Sequence, residues 1–245
     1  MILQVTSVPE PMGTVDNVLT LRDLSQGEIQ IEGRLVEASN ATLYGSIHVD
    51  GAALGNVIYK PQSGERPLWD FPHGTLAQRE VAAYQLSETL SWDLVPPTLL
   101  REGPYGLGMV QSWIEIDEDV DIVDVGQGEH PDIIRMALFD ALINNTDRKF
   151  GHLLPIGERI YGCDHGVTFH EDDKLRTVLW QFRGDAIPDQ LLKDLALVDV
   201  AIPSLSQLIH PDEVSALIHR RDALVEVGIF PQPSEDWPAV PWPPF

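Results

Sequence analysis

Two aspartates, each flanked by small or polar residues, lie 17 positions apart near the middle of the chain. Asp147 belongs to residues 144–152 (NNTDRKFGH), and Asp164 belongs to residues 163–166 (CDHG). The segment between them, residues 152–161, is predicted to form a short hairpin, which could bring the two carboxylates to one point. Phosphoryl transfer needs two such groups, because one carboxylate orients the attacking hydroxyl and another holds the magnesium ion on the nucleotide.

The order of these groups is similar to the protein-kinase pattern H-R-D-x-x-x-x-N followed by D-F-G. In this chain Asp147-Arg148 is followed by His152, five positions after the aspartate, and then by Asp164-His165-Gly166. The pattern therefore indicates a kinase-like site with substitutions.

A lysine and a glutamate precede this region at a suggestive spacing. Lys60 ends an otherwise apolar strand predicted at residues 56–60, and Pro61 stops that strand. Glu80 lies near the start of the next predicted helix, residues 75–91. In kinase-like folds a third-strand lysine reaches the nucleotide phosphates and pairs with a glutamate on the following helix. Taken alone, Lys60 fits a solvated strand end and Glu80 fits a partner of the helix dipole; together they predict an ion pair.

The composition limits the classes of function. The 245 residues are 43% apolar, enough for one large domain or two small lobes, and carry a formal charge of −22. This charge disfavours nucleic acid and anionic lipid as partners, although acidity also serves solubility. The one cysteine, Cys163, cannot form an internal disulfide, and no leader-like or membrane-spanning run is visible. We therefore expect a cytoplasmic protein without membrane insertion.

The apolar pattern predicts an α+β protein with an antiparallel sheet followed by helices. Strands are expected at residues 29–35, 43–49, 56–60, 95–100 and 107–114. Helices are expected at residues 16–24, 75–91, 131–143, 189–197, 204–209 and 211–227. Asp16 or Asn17 is expected to cap the first helix, and Thr75 is expected to cap the second.

Two acidic or proline-rich segments have predicted roles in the domain organisation. The acidic stretch 115–129 is predicted to be a solvated linker, which divides the chain into an N-lobe, residues 1–115, and a C-lobe, residues 116–245. The tail 237–245 is rich in proline and tryptophan and could serve as a partner ligand. Docking on the body is favoured, because it would bury two tryptophans and a phenylalanine.

The order of these parts resembles the phosphatidylinositol 3- and 4-kinase superfamily from about residue 30 to residue 200. More specifically, it is similar to the type II phosphatidylinositol 4-kinases and their bacterial relatives, which include HipA-type kinases. The resemblance is carried by residues 59–61 with 64–65, 79–80 with 82–84, 110–115, 145–148 and 164–169. More narrowly, residues 68–72 (LWDFP) and the Pro/Trp tail resemble an actinobacterial family of kinase-like proteins.

The resemblance implies a two-lobed, protein-kinase-like fold and a phosphotransferase that depends on ATP and on magnesium, with manganese as the alternative ion. It implies that Asp147 is the catalytic base, that Lys60 contacts the phosphates and that Glu80 holds Lys60. Asp164 would bind the magnesium ion. His152 takes the place of the superfamily's second metal ligand, an asparagine, although imidazole is a poor magnesium ligand.

Two further segments are expected to contact the nucleotide. The resemblance implies that backbone groups of Gln111, Ser112, Trp113 and Ile114 face the adenine. The predicted hairpin tip of Ser39, Asn40, Ala41 and Thr42 could lie over the phosphates, although it lacks G-x-G-x-x-G. The acceptor, a small molecule or a protein, stays open, as does the choice between phosphoryl and nucleotidyl transfer. The charge of −22 argues against an inositol lipid in a bilayer.

Two other functions are consistent with the same residues. A nucleotide-binding pseudokinase would act as a regulatory module, but it would not need to retain a base such as Asp147. A metal-dependent hydrolase could use His152, His165 and His170 near Asp147, Asp164 and Cys163, since zinc takes nitrogen, oxygen and sulfur ligands. No H-x-x-x-H or C-x-x-C spacing supports this hydrolase.

Overall fold

Five antiparallel strands form the sheet of the N-terminal lobe in the computed structural model, which describes residues 18–35, 40–117 and 119–245. The strands lie in the order β1-β2-β3-β5-β4. Their bounds are β1 (Glu28–Arg34), β2 (Leu43–Val49), β3 (Ala52–Pro61), β4 (Thr98–Gly103) and β5 (Gly106–Ser112). The predicted meander and the two later strands are confirmed. Ser39 of the predicted hairpin tip lies outside the described residues.

The two faces of the sheet have different partners. Val57 and Tyr59 of β3 pack with Ile47 and Val110 on one face, where Leu24 of helix α1 (Leu21–Gln26) joins the same cluster. Side chains alternate along a strand, so Ile58 and Lys60 point to the opposite face. Lys60 is therefore directed away from the cluster under α1 and towards the rest of the chain.

Helix α1 begins later than predicted. Its N-cap is Thr20, whose hydroxyl and main chain form a capping box with Asp23. The predicted start at Asp16 or Asn17 lies outside the described residues, and the helix itself begins at Leu21. The reciprocal Thr20–Asp23 bonds satisfy N–H groups that would otherwise lack partners at this end, which explains the start.

Helix α2 (Leu76–Thr89) belongs to two cores. Ala77 and Val81 pack against Met109 of the sheet, whereas its later residues from Ala82 to Leu86 join the large core of the C-terminal lobe. Thr75 does not cap this helix, since its hydroxyl donates to the carbonyl of Pro72. The Glu65 carboxylate accepts hydrogen bonds from the N–H groups of Leu76 and Ala77 instead. A loop carboxylate thus replaces the predicted local cap.

The C-terminal lobe is mainly helical, with one small hairpin. Its elements are α3 (Ile122–Gln127), α4 (Pro131–Ile143), β6 (Leu153–Ile156), β7 (Arg159–Gly162), α5 (Asp189–Asp194), α6 (Val198–Leu205) and α7 (Pro211–Val227). The acidic stretch is not wholly a linker, because Asp121 caps α3 inside it. The helix predicted at 204–209 is wrong, since α6 runs through Pro203 and ends at Leu205. No helix in the described ranges is long and apolar enough to cross a membrane.

The Pro/Trp tail docks on the body, as predicted. The carbonyl of Ala239 accepts hydrogen bonds from the Thr177 N–H at 3.1 Å and from Trp180 Nε1 at 2.7 Å. The Phe150 N–H donates to the carbonyl of Pro244 at 2.9 Å. Trp242 is nevertheless 89% exposed. Main-chain hydrogen bonds, rather than burial of both tryptophans, therefore hold much of the tail.

Candidate active site

Lys60 lies between two carboxylates at the junction of the lobes. Its Nζ is 2.6 Å from Glu80 Oε1 on α2 and 2.7 Å from Asp164 Oδ1 on the loop after β7. The other oxygen of Glu80 accepts a hydrogen bond from the His165 N–H at 2.8 Å. The predicted Lys60–Glu80 pair is thus present in the structure, and it extends to the second aspartate.

The charges of this network stabilise each other. The ammonium of Lys60 holds the pKa of Asp164 well below its usual range, in opposition to burial. Burial would lower the pKa of Lys60, but the two carboxylates outweigh it and raise this pKa. Burial raises the pKa of Glu80, against the attraction of Lys60. The side chain of Asp164 is still 50% exposed, so an ionised carboxylate faces open space beside a fixed cation.

Asp147 is held close to Asp164 by hydrogen bonds between their loops. The N–H and hydroxyl of neighbouring Thr146 both donate to the carbonyl of Val167, at 3.1 and 2.9 Å. The Asp147 N–H donates to Asn145 Oδ1 at 3.0 Å, and Lys149 Nζ lies 3.3 Å from Asp147 Oδ2. Burial raises the pKa of Asp147, Lys149 lowers it and Asp164 raises it further. The expected convergence of the two aspartates is therefore seen.

The loop that carries Asp147 is supported by a second charge network that sequence reasoning missed. Arg148 is fully buried, and its Nε and one terminal nitrogen donate hydrogen bonds of 2.9–3.1 Å to the two oxygens of Asp140 on α4. Asp140 also accepts from Asn145 Nδ2 and from the hydroxyl of Thr177. Arg148 is thus turned away from any substrate. The only signal in the sequence was an aspartate in the last turn of an otherwise apolar helix.

His152, the predicted second metal ligand, lies beside Asp164. Its Nε2 is 3.5 Å from Asp164 Oδ2, and its Nδ1 accepts a long, 3.4 Å hydrogen bond from the Lys149 N–H. Burial lowers the pKa of His152 to about 4, so the ring is neutral near pH 7. If Nδ1 is the acceptor, the remaining proton lies on Nε2, which then donates towards Asp164. Binding of a metal ion by Nε2 would need the other tautomer, and the role of His152 as the second metal ligand stays a prediction.

The residues of the proposed hydrolase do not converge. His165 Nε2 contacts the guanidinium of Arg148 at 2.7 Å, and His170 contacts Asp70 and Lys174. Burial raises the pKa of the Cys163 thiol to about 12, which disfavours the thiolate that zinc binds. Within the part of the chain that the structure describes, no three His, Cys, Asp or Glu side chains are grouped to hold a metal ion. The donor set therefore does not fit a zinc site.

The segment expected to face the adenine is largely engaged within the sheet. The Ser112 N–H donates to the carbonyl of Pro97 and the Trp113 N–H to that of Asn56, and Gln111 Nε2 bonds to Thr98 Oγ1. These donors can reach a base only by giving up their present partners. Ile114 is buried and follows the end of β5.

Two residues that sequence reasoning missed lie on the Lys60 face of the sheet. Ile58 precedes Lys60 by two positions, and its cross-strand partner Tyr44 shares that face. The ring of Trp113 packs edge-on against Tyr44, at 5.3 Å between centroids. Together they form an apolar surface on which a flat base could lie.

A cavity of about 480 Å³ connects the predicted residues. Lys60, Glu80, Asp147 and Asp164 all line it. Of the hairpin tip, Asn40 and Ala41 line it and Thr42 does not, and the N–H groups of Ala41 and Thr42 already donate to Gly64 and Asn40. The lining also includes residues 65–71, Arg176 and Trp237, to which sequence reasoning gave no place at the site.

The fold is shared with known kinase structures at low sequence identity. Hydra Fam20 with sugar has a TM-score of 0.56 and 15% identity over 84% of this chain and 87% of that chain. The Golgi casein kinase with Mn/ADP bound has a TM-score of 0.55 and 14% identity, over 84% and 74%. The Helicobacter pylori proinflammatory kinase CtkA has a TM-score of 0.51 and 11% identity, over 85% and 94%. These similarities confirm the two-lobed, kinase-like α+β fold.

Sequence comparison identifies a mycobacterial relative. No protein-family model matches the chain. Protein Rv2133c of Mycobacterium tuberculosis is 39% identical to it over 273 aligned positions, which cover 93% of this chain and 98% of the relative. At that identity and coverage, this chain belongs to the family of Protein Rv2133c.

Proposed function

We propose that this protein is a kinase that transfers the γ-phosphoryl group of ATP to an alcohol, with magnesium as the preferred ion and manganese as the alternative. The observation that carries the proposal is the position of Lys60 between Glu80 and Asp164, on the wall of a cavity that also contains Asp147. One fixed cation, one exposed ionised carboxylate and a second carboxylate nearby are the groups that phosphoryl transfer requires.

Lys60, Glu80 and Asp164 would bind the phosphates and the metal ion. Lys60 is already protonated and is held by Glu80, so it can meet the phosphate oxygens without reorganising. Asp164 fits magnesium, which is commonly bound through one or two carboxylates together with substrate phosphates. When bound there, the ion supplies positive charge that offsets the negative charge of the phosphates.

Asp147 would act on the acceptor hydroxyl. The hydroxyl oxygen forms a bond to the γ-phosphorus as the bond to the β,γ-bridging oxygen breaks, and ADP leaves. The proton of the hydroxyl passes to Asp147, whose position is fixed by Asn145. Lys149, at 3.3 Å from Asp147, can stabilise negative charge on the phosphoryl group during transfer.

Several finer assignments belong to the same proposal. The motif runs around Lys60, Glu80, Asp147 and Asp164 support membership of the phosphatidylinositol 3-/4-kinase and HipA-like group. The bound Mn/ADP of the Golgi casein kinase is consistent with nucleotide and divalent metal use here. We place the lobe boundary at residue 115, and the protein in the cytoplasm because its one cysteine has no internal partner.

Label transfer tests this proposal directly. The protein is incubated with magnesium and cell extract, and with ATP labelled at either the γ- or the α-phosphate. We expect the γ-label to move to an acceptor, and Asp147→Asn to prevent this movement. Transfer of the α-label would indicate nucleotidyl transfer instead. Tight binding of magnesium-ATP without movement of either label would indicate a pseudokinase and contradict the proposal.

A further inference from the structure

The charged side chains that line the cavity differ in whether they have partners within the protein. Five carboxylates line it, and each has a partner within the protein. Glu80 and Asp164 share Lys60, and Asp147 pairs with Lys149. Two further pairings involve residues 65–71: Asp70 binds Lys174 at 2.9 Å, and Glu65 binds the first N–H groups of α2.

Two guanidinium groups in the same lining have no such partner. Arg66 and Arg176 line the cavity, and neither forms an ion pair with a carboxylate of the described residues. The lining therefore holds two cationic groups that no described carboxylate neutralises, although the formal charge of the chain is −22. Because an acidic protein offers many carboxylates as partners, two arginines in one cavity without a carboxylate partner among the described residues suggest a bound anion.

Arg176 is held in place beside the catalytic loop. Its Nε donates to the Thr146 carbonyl at 2.7 Å, and its main-chain N–H donates to the Asn145 carbonyl at 2.9 Å. Its guanidinium lies 5.7 Å from the ring centre of Trp237. Among the residues that the structure describes, its two terminal nitrogens have no hydrogen-bond partner. A guanidinium fixed in this way loses little side-chain entropy when it binds a carboxylate or a phosphate.

The neighbourhood of Arg176 is also close to the reacting group. Thr146 precedes Asp147, and the charge of Arg176 contributes to lowering the pKa of Asp147 without contacting its carboxylate. Trp69 and Trp237 lie on either side of Lys174, at 4.7 and 5.4 Å from Nζ, and so connect residues 65–71 to the tail. A space of this size with these walls is typical of a small-molecule site.

We propose that Arg176, assisted by Arg66, binds an anionic group of the acceptor, so that the acceptor is a small alcohol that carries a phosphate or a carboxylate. Its hydroxyl then lies at Asp147, forms the new bond to the γ-phosphorus and gives its proton to Asp147, while ADP leaves. This inference rests on the proposed kinase function, since it concerns the second substrate of the same site.

The first experiment identifies the class of acceptor. A cell extract is separated by ultrafiltration, and the small-molecule filtrate is separated on an anion exchanger. Each fraction is tested for transfer of label from γ-labelled ATP. We expect acceptor activity in the retained part of the filtrate. Phosphatase treatment before the assay removes this activity if the anion is a phosphate monoester and preserves it if the anion is a carboxylate.

Three variants then test the arginines on that retained fraction. Arg176→Gln should raise the acceptor KM by about tenfold or more, because a charged two-pronged contact is lost. Arg66→Gln should raise it less, since this side chain is exposed. Arg22→Gln, at an exposed position on α1, is the matched control and should leave the acceptor KM unchanged. The affinity for magnesium-ATP, measured by calorimetry, should stay within about twofold in all three, which also reports intact folding.

Several outcomes would overturn the inference. Acceptor activity in the unretained fraction would show a neutral or cationic acceptor, and activity in the retentate would show a macromolecule. An equal loss of magnesium-ATP affinity in Arg176→Gln would assign this arginine to the nucleotide. If no fraction accepts the γ-label although magnesium-ATP binds, the proposed function itself fails, which differs from transfer to an acceptor of the wrong class.

Discussion

This chain contains two networks of buried charges, one around Arg148 and one around Lys60. Comparing them shows how a structural ion pair differs from one that can take part in chemistry. Arg148 and Asp140 are both fully buried, and their hydrogen bonds are made within the protein. Lys60 has a similar ion pair with Glu80, but its second partner, Asp164, is 50% exposed to the cavity. A buried ion pair therefore does not by itself mark a reactive site. What distinguishes the Lys60 network is a charged oxygen that can still accept a ligand.

The largest effect on stability is expected from breaking the fully buried network of Arg148 and Asp140. Arg148→Met should lower the free energy of unfolding by about 3–5 kcal/mol, because Asp140 is left as an uncompensated buried charge. Urea unfolding measures this loss. Arg221→Met is the matched control, since Arg221 pairs with the exposed carboxylates Asp199 and Asp222 and should cost about 1 kcal/mol or less. Equal losses in the two variants would contradict the distinction.

Breaking the network of Lys60, Glu80 and Asp164 should affect activity more than stability. Lys60→Met should lower turnover on the order of 10²- to 10³-fold and weaken magnesium-ATP binding, because the phosphates lose their fixed cation. Initial rates of label transfer and calorimetry measure the two effects. Lys193→Met, an exposed lysine on α5, should match the parent. Loss of folding without loss of specific activity in the remaining folded protein would contradict this role.

The two aspartates should separate binding from turnover. Asp147→Asn should lower turnover by about 10²-fold or more and leave magnesium-ATP affinity within a few-fold, since a general base touches neither phosphate nor metal. Asp164→Asn should weaken magnesium-dependent nucleotide binding, because a charged oxygen becomes a neutral one. The same rate and calorimetric measurements apply to both. Normal turnover by Asp147→Asn would remove Asp147 from the mechanism.

A smaller effect is expected in the pH dependence. Burial raises the pKa of Asp147, and Lys149 opposes this by favouring the ionised form. A base acts when ionised, so kcat/KM should rise with pH through this pKa. Lys149→Met removes the opposing charge, raises the pKa and moves the acid limb to higher pH. An unchanged limb, or one at lower pH, would contradict the assignment. His152→Asn should leave the limb in place, because Asp147, and not His152, is the proposed base.

The sequence could predict those parts of the fold and the site that depend on local patterns. Alternation placed Lys60 on a strand, and helical spacing placed Glu80 on the next helix, so their pairing required only that the two elements be neighbours. Pro131 at the first turn and the apolar run after it predicted the bounds of α4. The convergence of Asp147 and Asp164 followed from a hairpin of the expected length.

The rest depends on contacts between residues distant in sequence. Arg176 and Trp237 reach the cavity because the segment after Asp164 and the tail both form hydrogen bonds to the loop that carries Asp147, which no sequence spacing reveals. Glu65 replaced Thr75 as the cap of α2 because a loop folds back onto the helix. The identity of Asp140 as the partner of Arg148 likewise required three-dimensional proximity. The residue types predicted the chemistry, and the tertiary contacts determined which of the charged side chains were available for it.

The attachment of α2 limits which part of the N-terminal lobe could move. Arg79 of this helix donates to the Thr168 carbonyl at 2.7 Å and to Glu213 on α7, and the residues that follow are part of the C-terminal core. An outward movement of α2 alone would therefore disrupt the packing of that core. The sheet, which carries Lys60, meets α2 through the smaller cluster of Ala77, Val81 and Met109, so its movement against α2 would break fewer contacts. Opening the cleft would therefore separate Lys60 from both carboxylates in one step. The same movement would admit a nucleotide and break the charge network.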